Sequence, residues 1–114
     1  MVGETIYKIC SETEWRGALD AGVYDGSKDD KRDGFIHFST RKQVRKTLEK
    51  HFSGQADLLL LAIDVSLLNP LKLKYEGQRG ADKFPHLYEK LSPRAVRAQY
   101  PIHLNAAKEH IVEF

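Results

Sequence analysis

The stretch Asp33-Gly34-Phe35-Ile36-His37-Phe38-Ser39-Thr40 decides how this 114-residue chain is read. Side chains alternate across a strand, so Phe35, His37 and Ser39 share one face while Ile36 and Phe38 share the other. The second face is wholly apolar and belongs to a core. The first sets an imidazole and a hydroxyl beside an aromatic ring, which suits chemistry. Just downstream, Thr40 and Gln43 form a capping-box pattern, and Val44, Leu48 and Phe52 recur every fourth residue. That predicts an amphipathic helix over 41–52. Its N-terminal N–H groups would lie beside His37 and Ser39, where a phosphate could rest.

Upstream, Thr5 to Cys10 alternates apolar and polar residues and reads as a first strand, with Ile6, Lys8 and Cys10 opposite Tyr7 and Ile9. Ser11 and Glu14 form a capping box. Trp15, Ala18 and Leu19 then fall on one helical face, so a helix is expected from Glu12 to Ala21, ending at Gly22. Residues 23–34 are rich in Asp, Lys, Gly and Ser and read as a solvated loop, either a plain connector or a mobile cover over a pocket.

Downstream, Asp57 to Asp64 (DLLLLAID) is an apolar run of strand length and should be a central strand covered on both faces. Residues 65–70 read as a turn, and Leu71, Leu73 and Tyr75 alternate with Lys72, Lys74 and Glu76 in a half-exposed strand. After a loop at 77–83 comes FPHLY (Phe84 to Tyr88). Residues 95–100 form another strand candidate, Pro101 interrupts it, and short strands follow at 102–104 and 110–114. The order β-α-β-α followed by strands points to one α+β domain spanning residues 1–114.

Composition is that of an ordinary globular chain, 41% apolar and 30% charged. The single cysteine, Cys10, excludes a disulfide framework and fits a reducing, cytoplasmic setting; its apolar neighbourhood predicts a buried, inert thiol. No segment has signal-peptide order or membrane-spanning length. A net charge of +2, from 18 basic and 16 acidic residues, does not imply a nucleic-acid surface.

Glu76, Arg79, His86 and Tyr88, together with His37 and Ser39, are the main concentration of polar groups among aromatics. If the two stretches meet, they supply a carboxylate, a guanidinium, two imidazoles and a phenol to one small-molecule cleft. Gly-x-Ser-x-Gly, metal-ligand spacings and the Walker and dinucleotide fingerprints are all missing, so no metal is expected. Taken alone, each residue also has a bland reading: His37 as a core histidine, His86 as a turn residue, Tyr88 as a core aromatic, Arg79 as exposed, Glu76 as a surface partner of lysine. His51, His103 and His110 read as surface or edge histidines.

The succession IYKI, EW, AG-Y, DGFIHFST with Gln43, HF-G-DLLLL-ID and FPHLY resembles a small bacterial family known as domain of unknown function 952, over about residues 6–91. That family is grouped with the ADP-ribosyltransferase-like fold, in which NAD binds between two small antiparallel sheets and its nicotinamide–ribose bond is cleaved. The resemblance implies this α+β architecture, with two main helices, and an NAD-like nucleotide as substrate. By position, Lys8 would contact the dinucleotide, His37 and Ser39 would border the nicotinamide ribose, and Glu76 would orient the reacting sugar. His37 and Glu76 are then the catalytic candidates. Lys8, Ser39, Thr40, Arg79, His86 and Tyr88 are the ligand-binding candidates. Many relatives carry His or Arg where Lys8 stands, so the alternative is a non-catalytic module that keeps the cleft for another small ligand or a protein partner. RNA ends, which some proteins of this fold process, are disfavoured by the near-neutral charge.

Overall fold

The computed structural model describes residues 4–77 and 80–114. Among these residues, two antiparallel sheets and three α-helices make up an α+β architecture. In chain order the strands are β1 (Thr5–Ser11), β2 (Ile36–His37), β3 (Leu58–Asp64), β4 (Leu73–Glu76), β5 (Phe84–Leu87), β6 (Val96–Leu104) and β7 (His110–Ile111). The helices are α1 (Glu12–Ala21), α2 (Lys28–Asp33) and α3 (Val44–His51).

One sheet has the order β1-β3-β6-β7 and the other β2-β5-β4. As the apolar run predicts, β3 is an inner strand, pairing with β1 and β6 and buried on both sides. Its alternate residues serve two cores. Leu61 and Ile63 join Ile6, Cys10, Trp15, Ile36 and Phe38 between α1 and the smaller sheet. Leu58, Leu60 and Ala62 join Tyr7, Ile9, Val44 and Leu48 under α3. The sheets meet where Tyr7 and Ser39 exchange two backbone hydrogen bonds, each 2.8 Å long. Ser39 thus leaves β2 to pair with β1 and carries the chain from one sheet to the other.

Several expectations need correction. The segment 23–34 is no open loop: Ser27 caps α2 by accepting from the Asp30 N–H, and Gly34 ends it in the left-handed region at φ 87°. The signal was there in Ser27-x-x-Asp30, but a polar helix that buries mainly one carboxylate shows no apolar periodicity. The predicted helix over 41–52 enters through a 3₁₀ turn at Arg41–Gln43 before α3 begins.

The FPHL of FPHLY forms β5, the middle strand of its sheet, so His86 lies in a strand and not a turn. A proline is tolerated at position 85 because its carbonyl accepts from Phe38 N, which puts its missing N–H on the β2 side. The ladder of named strands ends one pair earlier, at His37 and His86, and the residue after Phe38 bridges Tyr7. Pro101 does not interrupt β6 either. β7 reaches only His103 and Leu104, which leaves the outer edge of β6 unpaired at Pro101. No described helix is long and apolar enough to cross a membrane.

Candidate functional site

The two histidine stretches do meet. In the β2–β5 ladder His37 pairs directly with His86, and their rings stand 5.4 Å apart at 72°. Phe35 packs against both rings, 4.6 Å from His37 and 4.1 Å from His86, and reaches Tyr88 at 5.1 Å. An aromatic plate therefore backs the pair and restricts the orientation of each imidazole.

A carboxylate holds each ring at Nδ1. Glu76 Oε1 lies 2.9 Å from His86 Nδ1 and accepts the Tyr88 hydroxyl hydrogen at 2.6 Å. The neighbouring strands bring these three together, since His86 in β5 lies opposite Lys74 in β4. Bonds from Tyr88 and His86 hold the Glu76 carboxyl below its ordinary range.

His37 is held more deeply. Its Nδ1 lies 2.6 Å from Asp30 Oδ1, and the same oxygen accepts from the His37 backbone N–H at 3.1 Å. The other Asp30 oxygen accepts from Lys8 Nζ at 2.8 Å and from the Ser27 N–H at 2.9 Å. Asp30 is only 2% exposed and Lys8 4%, so this is a buried ion pair joining α2 to β1. Burial alone would raise the Asp30 pKa; the bonds from His37, Lys8 and Ser27 outweigh it and push the value well below the carboxylate range. On the far side of the imidazole, His37 Nε2 lies 3.0 Å from Asp33 Oδ2, and Arg32 Nε holds the other Asp33 oxygen at 3.0 Å.

A cavity of about 300 Å³ opens between the sheets, bounded by Lys8, Asp30, His37, Ser39, Phe84 and His86. Tyr7, Phe38, Phe52, Thr47 and His51 complete the inner wall, and Asp29, Arg32 and Asp33 line its α2 side. Among the described residues, the fixed charges on this lining are three carboxylates against two cations, so with neutral imidazoles this lining is slightly acidic.

Of the residues singled out by sequence, His37, His86, Glu76 and Tyr88 form one connected cluster. Glu76 and Tyr88 stand behind His86, outside the cavity lining. Lys8 does line the cavity, but its ammonium is engaged by Asp30. Ser39 is buried and donates to Thr47 Oγ1 at 3.2 Å. Thr40 leads into the 3₁₀ turn, its N–H bonded to Gln43 Oε1 at 3.0 Å. Arg79 lies outside the described residues.

Sequence reasoning missed Asp30 and Asp33, hidden in an unrecognised helix; His51 is exposed, as read, and also borders the cavity. Among the described residues no group of three or more His, Cys, Asp or Glu could hold a metal ion. Cys10 is buried, and burial pushes its thiol up to about 12.

No curated protein matches the chain. The crystal structure of protein CC0527 from Caulobacter crescentus is 41% identical with a TM-score of 0.87, covering 94% of this chain and 93% of that one. The solution structure of the same protein is 42% identical with a TM-score of 0.79, covering 92% and 90%. The family model described as "Protein of unknown function (DUF952)" matches residues 9–99, which include both histidines and every carboxylate that anchors them. The chain belongs to the DUF952 family.

Proposed function

We propose that the cleft binds the ribosyl end of an NAD-like nucleotide and supports glycosyl transfer at the anomeric carbon, on an ADP-ribosyltransferase-like arrangement of two sheets. The observation that carries this reading is the pair of carboxylate-anchored imidazoles facing one acidic, aromatic-walled cavity. Ribosyl transfer passes through an oxocarbenium-like state, whose positive charge is favoured by preorganised carboxylates and disfavoured by a cationic pocket. Phe84 and Phe52 offer apolar surface for a planar base.

Size supports the same partition. A cavity of about 300 Å³ is at the lower end of small-molecule sites, enough for one nucleoside half and too small for a whole dinucleotide. The remainder of a dinucleotide would extend along the surface toward the chain entering α3 at Thr40. Lys8, neutralised by Asp30, acts in this reading through His37 and not as a phosphate ligand.

The test is a ¹H–¹⁵N NMR titration with NAD and ADP-ribose, together with a nicotinamide-release assay. Saturable shifts at His37, Ser39 and His86 are expected, with nicotinamide release slowed by His86→Gln. Saturating NAD and ADP-ribose that leave all three residues unshifted would refute the proposal. Saturable binding without any released nicotinamide would instead make the protein a binding module on the same site.

A further inference from the structure

We propose that the preferred substrate is a riboside whose leaving atom must be protonated as its bond to C1′ breaks, with a purine nucleoside as the simplest case, and that His37 is the acid and His86 the base. This rests on the ribosyl reading above and narrows it. Nicotinamide departs from NAD as a neutral pyridine and needs no proton. A site shaped for that departure alone has no use for a second anchored imidazole.

The two rings differ in how their nitrogens are engaged. His37 meets a carboxylate oxygen at both, Asp30 at 2.6 Å from Nδ1 and Asp33 at 3.0 Å from Nε2. Asp30 hydrogen-bonds the ring at Nδ1, and the Asp33 carboxylate stands close enough to repel a lone pair on Nε2, so the surroundings suit a ring with hydrogen on both nitrogens. His86 meets Glu76 at Nδ1, and its Nε2 has no hydrogen-bond partner among the described residues. With the Nδ1 hydrogen given to Glu76, His86 Nε2 is left as an acceptor on a ring that lines the cavity. One cleft thus holds a proton donor and a proton acceptor on rings 5.4 Å apart.

With His37 protonated, the described lining sets three carboxylates against three cations, a balance that suits an uncharged nucleoside. Asp33 Oδ2, partly exposed and also accepting from Arg32 Nη2 at 3.4 Å, occupies the place at His37 Nε2 that the leaving base would take.

The step balances with water as the only co-reactant. Water oxygen bonds to C1′ and gives its proton to His86 Nε2. The C1′–N9 bond breaks with its electron pair passing into the purine, and the proton on His37 Nε2 moves to purine N7. Free ribose and free base result, and proton exchange with solvent resets the two rings.

The wild-type protein is incubated with inosine, NAD and 4-nitrophenyl riboside, and base, nicotinamide and nitrophenolate release are followed. Inosine cleavage faster than NAD cleavage is expected. Nitrophenolate needs no acid, so His37→Gln should lose about 10²–10⁴-fold on inosine and less than about tenfold on the nitrophenyl riboside, whereas His86→Gln should slow both. Thermal unfolding of each variant verifies folding, and the wild-type preference tests the proposal even where a variant fails to fold. NAD cleaved in preference to inosine, inosine not cleaved at all, or equal His37→Gln losses on both ribosides would overturn this inference. The first of these outcomes, or NAD binding at the cleft in the titration above, would leave the broader ribosyl reading standing.

Discussion

Replacing Asp30 by Asn removes one negative charge at a carboxylate that is 2% exposed and receives four hydrogen bonds, from Lys8, Ser27 and two nitrogens of His37. The Lys8 ammonium, itself 4% exposed, is then buried without a counter-charge. Breaking a buried pair from one side costs about 3–5 kcal/mol. At about 4 °C per kcal/mol for a domain of this size, Tm should fall by about 12–20 °C. Lys8→Met should lie at the low end, about 3 kcal/mol, because Asp30 keeps its other three donors. In the double variant no charge is stranded, so its loss should be smaller than the sum of the singles by about 2 kcal/mol or more.

The pH dependence has a definite sign. Asp30 is depressed in the folded state, so its contribution is complete above the unfolded carboxylate value of about 4 and is lost as pH falls through the folded value. Wild type and Asp30→Asn should therefore converge in stability as the solution is acidified. Urea unfolding of the four proteins at neutral and acid pH measures all of this. A loss below about 1 kcal/mol for Asp30→Asn, or strict additivity, would refute the reasoning.

Three further outcomes are expected. Gly26 has φ 108°, and a Cβ there would stand 2.7 Å from Asp30 Cβ, so Gly26→Ala should destabilise by about 2 kcal/mol or more and perturb the His37 ring resonances, whereas Gly22→Ala, with open space around it, should cost only about 1 kcal/mol and leave those resonances unchanged. Cys10, with its thiol pushed up to about 12, should react with iodoacetamide at pH 8 at least about 100-fold more slowly in the folded protein than in urea. Tyr88→Phe removes a 2.6 Å donor from Glu76 and should move the Glu76 carboxyl back up toward its ordinary value, read by ¹³C NMR titration.

What the sequence disclosed followed from periodicity. The four-residue rhythm of Val44, Leu48 and Phe52 and the unbroken run at 58–63 each report a burial pattern directly, and α1 begins and ends at its capping residues as read. The face assignment in DGFIHFST also held: Ile36 and Phe38 are core, and His37 looks into the cleft. Asp30 escaped because its role depends on partners 22 residues before it and seven after it, and no local pattern announces a buried ion pair. The meeting of His37 with His86 rests on the register of a short ladder, which is a tertiary fact. Pro101 misled because a proline reads as a breaker until the neighbouring strand is known to be missing on that side, and Pro85 because it stands just past the last β2–β5 pair.

The Lys8–Asp30 pair also governs the order in which the molecule can assemble. Lys8 belongs to β1, whose neighbours on the same face, Ile6 and Cys10, enter the core, so closing the larger sheet on its own would desolvate an unanswered ammonium. The carboxylate that answers it arrives only when α2 docks, and α2 simultaneously fixes His37. Sheet closure and completion of the cleft are thereby tied into a single cooperative unit. In native-state hydrogen exchange the His37 and Gly34 amides should open with the same free energy as those of β3, and independent, low-energy opening of α2 would contradict this coupling. A chain that has folded its sheet has, by the same event, aligned its imidazoles.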